Sequence, residues 1–506
     1  MNLGAKVKVF VASVAFLNVL ALWSNLNRSQ SSFLEEKTWE SQEPYTESPQ
    51  WNSYISYGKF VPEYQKIKVD PEYCKRVEDY RKLHPPKLDK RGLPVKQDRV
   101  MYSNFPYYYF IKKVMDETNT LVLVPYQDSS NLKVTPTFLP PEILMFYHMN
   151  PKYHNRLQIG RDFVCPGQRY NHIPGNVYLD AKDQNALDMR QYSKHYLGRE
   201  KCFDPWEVMP YTLVLDVPEH CQEFISYLES SVNSTEISWI HKKARESNQG
   251  YGVAIVDQIM AKKFITEYKN TQKCGKPGYI AQKYIKNPFL LNGHKFDFRV
   301  YLFIASMDPL LLFYNDGFLR ISIEKYDVNS SESWRHITNT GQAKKYFEYK
   351  KMTGSQKKEA LKDQGWLFDK FMDYFVAQGY GSYKWMEEYF KPTVKKMMFH
   401  LVRVNLDRLL KHPRVFEVFG LDFMLDSNLN LKFIELNYDP GITSNQADKE
   451  KLNRKLLTDI VEIEYALEYN PSLLDELVEQ SNFEWIYDGR KTGIHRYNNL
   501  IEEDCL

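Results

Sequence analysis

From Gly293 to Ile304 polar and apolar residues alternate. The two-residue period predicts a strand with Lys295, Asp297 and Arg299 on one face and Phe296, Phe298 and Val300 on the other. A second pattern runs from Phe416 to Leu425, through the turn formers Asp426 to Asn430, and on from Leu431 to Asn437. It predicts a β-hairpin in which Glu435 and Asn437 point the same way and Asp422 can lie beside them. Apolar positions at i, i+3 and i+4 predict helices over 219–230, 257–269, 389–412 and 449–468. Short β-rich runs such as TLVLVPY and YTLVLDV lie between turn signals, so the expected fold class is α+β or mixed α/β, without internal repeats.

The amino terminus reads differently. Lys6 and Lys8 precede Val9 to Trp23, fifteen residues interrupted only by Ser13 and Asn18. A membrane span needs about 20 apolar residues, so residues 1–25 read as a signal anchor or a signal peptide. The anchor is favoured because Leu22 and Trp23 stand where a small-residue cleavage site is expected. The flanking charges favour a luminal body. Residues 26–94 read as a linker or stalk, being polar and punctuated by Pro and Ser.

Composition narrows the function classes. Hydrophobic residues make up 43% and charged residues 26%, which excludes a collagenous or globally disordered chain. The balance of 67 Lys+Arg against 64 Asp+Glu leaves a net charge of +3, too even to indicate a nucleic-acid binder. The 6 cysteines form no C-x-x-C pair, so neither a zinc site nor a dense disulfide scaffold is expected.

Three segments carry chemistry beyond what a core needs. The face bearing Lys295, Asp297 and Arg299 places two cations around a carboxylate. Asp422, Glu435 and Asn437 offer oxygen donors without His or Cys, the set a hard divalent ion such as Mg²⁺ prefers when phosphate oxygens complete its shell. Both acids are embedded in apolar text, LDFML and FIELN, where unpaired charge is costly. The third segment, Ser238 to Lys243, is a strand followed by a loop containing Gln249, Gly250 and Gly252. Its glycines let backbone N–H groups approach phosphate oxygens, with Lys242 as a point charge.

Asn171-His-Ile-Pro-Gly175, Ser238-Trp-Ile-His-Lys242, Gln282-Lys-Tyr-Ile-Lys-Asn-Pro288, Lys295-Phe-Asp-Phe-Arg299, Asp316-Gly-Phe-Leu-Arg320, His336-Ile-Thr-Asn339, Gly420-Leu-Asp422 and Ile434-Glu-Leu-Asn437 follow one another along the chain. In that order they resemble the tubulin–tyrosine ligase-like family, a branch of the ATP-grasp amino-acid ligases, over about residues 95–470. The resemblance implies an ATP-grasp-like body with an N-terminal lobe, followed by a tail over 471–506.

It further implies ATP and Mg²⁺ as cofactors. Lys242 would touch the α- and β-phosphates under a loop of Gln249, Gly250 and Gly252, and Gln282, Lys283, Tyr284 and Ile285 would hold adenine. Lys295, Asp297 and Arg299 would contact ribose and phosphates, Thr338 and Asn339 the nucleotide, and Asp422, Glu435 and Asn437 the metal. Arg320 would grip the carboxylate of the incoming amino acid, a task suited to its planar fork.

The implied reaction is ATP-dependent polyglutamylation of tubulin, joining free glutamate to glutamate side chains, with microtubules and accessory protein subunits as partners. Glycylation, tyrosination, a luminal ligase with another substrate and a non-catalytic microtubule-binding member stay open. Thr340-Gly341 replaces the family's usual tyrosine-bearing continuation, which bears on the choice of amino acid. With the leader, the expected location is a membrane-anchored enzyme held through residues 9–23. Its ligase body would face the cytoplasm, with the secretory lumen as the alternative.

Overall fold

The computed structural model describes residues 71–103, 108–125, 143–144, 165–196, 202–231, 238–245, 252–330, 332–362, 364–438, 440–442, 447–498 and 500–501. Three sheets organise them. A parallel N-terminal sheet contains β1 (Val100–Ser103), β2 (Val122–Pro125), β3 (Ile143–Leu144) and β4 (Arg169–Tyr170), in the order β2-β1-β3-β4. A small antiparallel sheet contains β5 (Thr212–Val214), β6 (Trp239–Lys243), β7 (Val253–Ile255) and β8 (Tyr279–Lys283), in the order β5-β8-β6-β7. The central antiparallel sheet has seven strands: β9 (Leu290–Leu291), β10 (His294–Met307), β11 (Leu310–Lys325), β12 (Gly365–Leu367), β13 (Glu417–Leu425), β14 (Leu431–Asn437) and β15 (Phe483–Asp488). Its main order is β12-β11-β10-β13-β14. The mixed α/β class expected from the patterning is the class observed.

Strand β10 shows why the central sheet sits where it does. Its alternation predicts one packed and one polar face, yet residues 295–307 are buried on both. Phe296, Phe298, Val300, Leu302 and Ile304 enter a core shared with the helices Phe368–Ala377 and Lys391–Arg403. On the opposite face Tyr301, Phe303 and Ala305 enter a second core built on the helix Ala447–Tyr469. Only the first part of that face, Lys295, Asp297 and Arg299, is charged. The strand thus buries apolar surface on both sides of one end and presents a charged patch at the other.

The predicted helices over 219–230, 257–269 and 449–468 appear as Pro218–Ser231, Gln258–Thr271 and Ala447–Tyr469. Asp257 caps the second by accepting the Met260 N–H at 2.8 Å. The helix expected over 389–412 instead ends at Arg403. Leu406, Leu409 and Leu410 still pack on the first core, which keeps the apolar spacing going after the helix has stopped. Past Arg403 the Asn405 N–H bonds to the Val402 carbonyl three residues back at 3.0 Å, the spacing of a turn rather than of an α-helix, while its buried side-chain amide donates to the Leu401 carbonyl at 2.9 Å and to Asn185 at 3.0 Å.

The cysteines are paired, a point that their spacing in the sequence left open. Cys74 pairs with Cys165, 91 residues away, and Cys221 with Cys274, 53 residues away. Every described cysteine, Cys202 included, is disulfide-bonded. The bond between Cys221 and Cys274 ties together the helical layer behind the small sheet. The other ties the helix Pro71–Leu83 to the body. Spacings this long carry no local signature, because the partners meet only once the lobes are folded.

The expected membrane anchoring is corrected. Among the described residues no helix is long and apolar enough to cross a membrane, and the apolar run 9–23 lies outside them. Within the stretch read as a linker, residues from 71 onward form that disulfide-tied helix and the bridge between Leu88 and Pro94. Within the tail, β15 pairs with β11.

Candidate active site

A cleft of about 690 Å³, open solvent included, lies between the small sheet and the central sheet. Of the residues singled out in the sequence, Lys242, Gln282, Lys283, Tyr284, Ile285, Lys295, Asp297, Arg320, Thr338, Asn339, Asp422 and Glu435 line it. Gln249 and Gly250 lie outside the described residues. Gly252 adopts φ +72°, and its carbonyl accepts the Lys243 N–H at 2.9 Å, so it turns the chain back into β7.

The small sheet places the first cation. Lys242 on β6 donates to the Gln282 side-chain oxygen at 2.7 Å, and Gln282 donates in turn to the Thr212 hydroxyl at 2.9 Å. The amide N–H groups of Lys283 and Tyr284, candidates for an adenine edge, donate to the Tyr211 and Ser238 carbonyls.

Lys295 arrives from β10 and donates to the Tyr284 hydroxyl at 3.0 Å. The proton positions beyond it follow from His336. Its Nε2 lies 2.6 Å from the Ser330 carbonyl, which can only accept, and its Nδ1 lies 2.7 Å from the Tyr284 hydroxyl. Burial lowers the pKa of His336, so the neutral ring carries its proton on Nε2 and accepts the tyrosine proton on Nδ1. The tyrosine oxygen is then left to accept from Lys295.

Three central strands build the charged floor. In the ladder Asp297 on β10 faces Arg320 on β11, Arg299 faces Asp422 on β13, and Asp422 faces Glu435 on β14. The predicted hairpin is therefore present with its carboxylates opposed. Arg320 bridges two of the strands' acids, its Nε donating to Asp297 at 2.7 Å and its Nη2 to Asp422 at 2.5 Å. Arg299 clasps Asp422 from the other side at 2.5 and 3.1 Å and donates to the Pro440 carbonyl at 3.0 Å. The Thr338 hydroxyl donates to Asp297. Asn339 caps the helix Thr340–Tyr349 through its backbone and makes no side-chain capping bond, which leaves its amide for the cleft.

Burial raises the pKa of Asp422, but Arg299 and Arg320 more than offset it and hold the carboxyl below its usual range. Asp297 goes the other way: burial raises it, and Arg320 offsets only part of the rise. Burial lowers Lys295 to about 7, with Lys242 adding to the effect. Burial likewise lowers Lys242 to about 8, against the pull of Glu435. Two desolvated ammonium groups in one cleft favour a polyanion, which would hold both of them protonated.

Two residues at the site carried no sequence signal. Glu435 lies 3.5 Å from the Lys182 ammonium, which is also 3.7 Å from Asp180. Lys182 is buried, and Asp180 and Glu435 keep its pKa raised against the effect of burial. Its position depends on the preceding turn, which Glu417 of β13 holds by accepting the Ile173 N–H at 2.9 Å and the Asn176 amide at 2.6 Å. Within that turn Gly175 adopts φ +98°, and a Cβ there would stand 2.0 Å from the Arg408 carbonyl. The Asn171 to Gly175 motif therefore acts as a bolt between the turn and the central sheet. The charges in LDAKD could have been flagged only by their apolar neighbours.

The sequence model of the Tubulin-tyrosine ligase family matches residues 163–472, which contain every residue of this cleft. The chain belongs to the tubulin–tyrosine ligase family. Among its relatives, the mouse "Probable tubulin polyglutamylase TTLL2" is 29% identical over 315 residues, or 60% of this chain and 52% of the relative. "Tubulin polyglutamylase ttll-4" of Caenorhabditis briggsae is 28% identical over 305 residues, 59% of this chain and 46% of the relative. "Tubulin glycylase 3A" of Drosophila melanogaster is 27% identical over 265 residues, 52% and 25% of the two chains. The chain thus spans about half, or less, of the length of these relatives.

A polyanion held between Lys242 and Lys295 is expected to bind more weakly as pH rises above about 7 to 8. In the free cleft Lys295 and Lys242 lose their protons there, whereas bound phosphates keep them charged, so binding takes up protons. Calorimetric titration with ADP in buffers of different ionisation enthalpy measures this directly. A pH-independent affinity without proton uptake would contradict it.

Proposed function

We propose that the protein is an ATP-dependent amino-acid ligase that joins glutamate to glutamate side chains of tubulin. The observation that carries this reading is the Arg320 bridge between Asp297 and Asp422, set beside the two desolvated lysines Lys242 and Lys295 in one cleft. Such a constellation can bind a polyphosphate and stabilise a migrating phosphoryl group while offering no side-chain nucleophile. An acceptor carboxylate oxygen would attack the γ-phosphorus of ATP and release ADP. The amine of free glutamate would then attack the acyl carbon, losing a proton and expelling phosphate.

Lys242 and Lys295 would hold the phosphates, and Arg320 would orient the carboxylate of the incoming amino acid. Among the described residues no three His, Cys, Asp or Glu side chains form an ion site by themselves. Asp422 faces Glu435 across the β13–β14 ladder, a pair of carboxylates that a hard ion would take together with an amide oxygen and phosphate oxygens. Asp422, Glu435 and Asn437 would hold Mg²⁺, which supplies neutralisation of phosphoryl charge.

The names of the relatives support tubulin as acceptor and glutamate ahead of glycine. The paired cysteines favour a second reading, the same ligation on an acceptor that shares an oxidising compartment with the enzyme. One experiment tests both. The purified full chain is incubated with microtubules, Mg·ATP and labelled glutamate, glycine or tyrosine, with and without dithiothreitol. Glutamate label that survives the reductant supports the tubulin reading. Loss of activity on reduction supports the second, and label from glycine or tyrosine alone would overturn glutamylation.

A further inference from the structure

Lys242, Lys295, Arg299 and Arg320 each have an acid or a polar acceptor, as described above. Lys449 does not. It stands in the first turn of the helix Ala447–Tyr469, with its ammonium 4.1 Å from the centre of the Phe318 ring. Among the described residues it makes no hydrogen bond or ion pair. Phe318 lies two residues before Arg320 on β11, so both side chains project from one face of the strand, and Lys449 lies over that face.

Its electrostatic neighbours are Arg320, Arg299 and Asp297, and beside burial the two arginines help lower its pKa to about 8. The neighbours of Lys295 are Lys242 and Asp297. In the ladder Lys295 comes before Asp297, the partner of Arg320, and Phe318 faces Arg299 beyond it, so the cations fall into two groups, with the Lys242 and Lys295 pair on one side of Arg320 and Lys449 on the other. A half-buried ammonium set against two guanidinium groups is unfavourable until an anion arrives between them.

We propose that Lys449 is a specificity-determining residue that binds the side-chain carboxylate of the incoming glutamate, while Arg320 takes its α-carboxylate. Phosphate oxygens are matched by the lysines on the far side of Arg320, which leaves Lys449 for a second, separate anion. Glutamate brings one, and glycine and tyrosine do not. This inference rests on the reading that glutamate is the amino acid transferred.

The test compares the wild-type full chain with Lys449→Met and Lys449→Arg, using microtubules, Mg·ATP and either glutamate or glutamine. Methionine keeps the stem and its contact with Phe318 but removes the charge. The KM for glutamate is expected to rise about tenfold in Lys449→Met, the size of a lost charge-assisted hydrogen bond. Preference for glutamate over glutamine should fall by the same factor, with unchanged KM for ATP and unchanged melting temperature, and Lys449→Arg should retain most of the preference. An unchanged KM for glutamate, or a rise confined to the KM for microtubules, would overturn the assignment. A wild-type enzyme that transfers no glutamate would instead overturn the reading beneath it.

Discussion

Glu435→Gln is expected to reduce ligation by about 10²–10³-fold, the cost of removing one preorganised charge from a transferring phosphoryl group, while leaving the fold in place. Glutamine has nearly the volume of glutamate and can still accept from the Asn437 amide, which lies 3.4 Å away. Lys182 loses an attraction across 3.5 Å but keeps Asp180. The change therefore falls on charge more than on packing. The check is the initial rate of labelled glutamate incorporation across a Mg²⁺ series, with thermal melting as the control for folding. Wild-type activity at physiological Mg²⁺ would remove Glu435 from the proposed metal-binding set.

Arg320→Met is expected to abolish ligation and to destabilise the fold by about 3–5 kcal/mol, the usual cost of removing one partner from a buried charge network. Asp422 would retain Arg299, but among the described residues Asp297 would keep only the Thr338 hydroxyl as a hydrogen-bond donor. Burial already raises the pKa of Asp297, and without Arg320 it would rise further. The sign of the pH dependence follows. A folded-state pKa above the unfolded one means that the native state binds the extra proton, so the deficit of the variant shrinks as pH falls through the raised pKa. Urea titration of both proteins under mildly acidic and mildly alkaline conditions reads this directly. Arg320→Lys keeps a charge but lacks a fork able to meet two carboxylates at once. It should fold better than the methionine variant and still lose about 10²-fold in rate. A methionine variant as stable as wild type at both pH values would show that the bridge contributes nothing to the fold.

The legible parts of the protein were those written in local periodicity. The alternation from 293 to 304 and the turn formers between Leu425 and Leu431 correctly placed β10 and the β13–β14 hairpin. With them came the opposition of Asp422 and Glu435, since strand register follows from a short turn. Three of the four predicted helices lie within two residues of expectation at each end. The fourth overran because leucines after Arg403 pack in turns at helical spacing. The solvated face that a lone β10 would have shown is absent, because a strand cannot report from its own sequence what packs over it.

The candidate site divides along the same line. Asp422 and Glu435 were identifiable because charge in apolar text demands a partner, Lys295 and Asp297 because alternation sets them on one face, and Lys242 because it ends a strand before a glycine-bearing loop; Arg320 entered only through the family resemblance. Who partners whom was not: Arg299 closes on Asp422 and Arg320 spans two acids. Lys182 reaches Glu435 through a turn held by Glu417, from a stretch that shows no pattern of its own.

By itself the sequence determined the mixed α/β class, strand β10 and the β13–β14 hairpin of the charged floor, and the residue types that suit a phosphate-binding ligase. Each of these depends on period, turn chemistry and the cost of buried charge, all of which act over a few residues. Tertiary structure alone decided the disulfide pairs, the two cores on either face of β10, the Arg320 bridge and the position of Lys449. Those features join segments tens to hundreds of residues apart, and such contacts exist only after the lobes have closed and desolvated the groups between them.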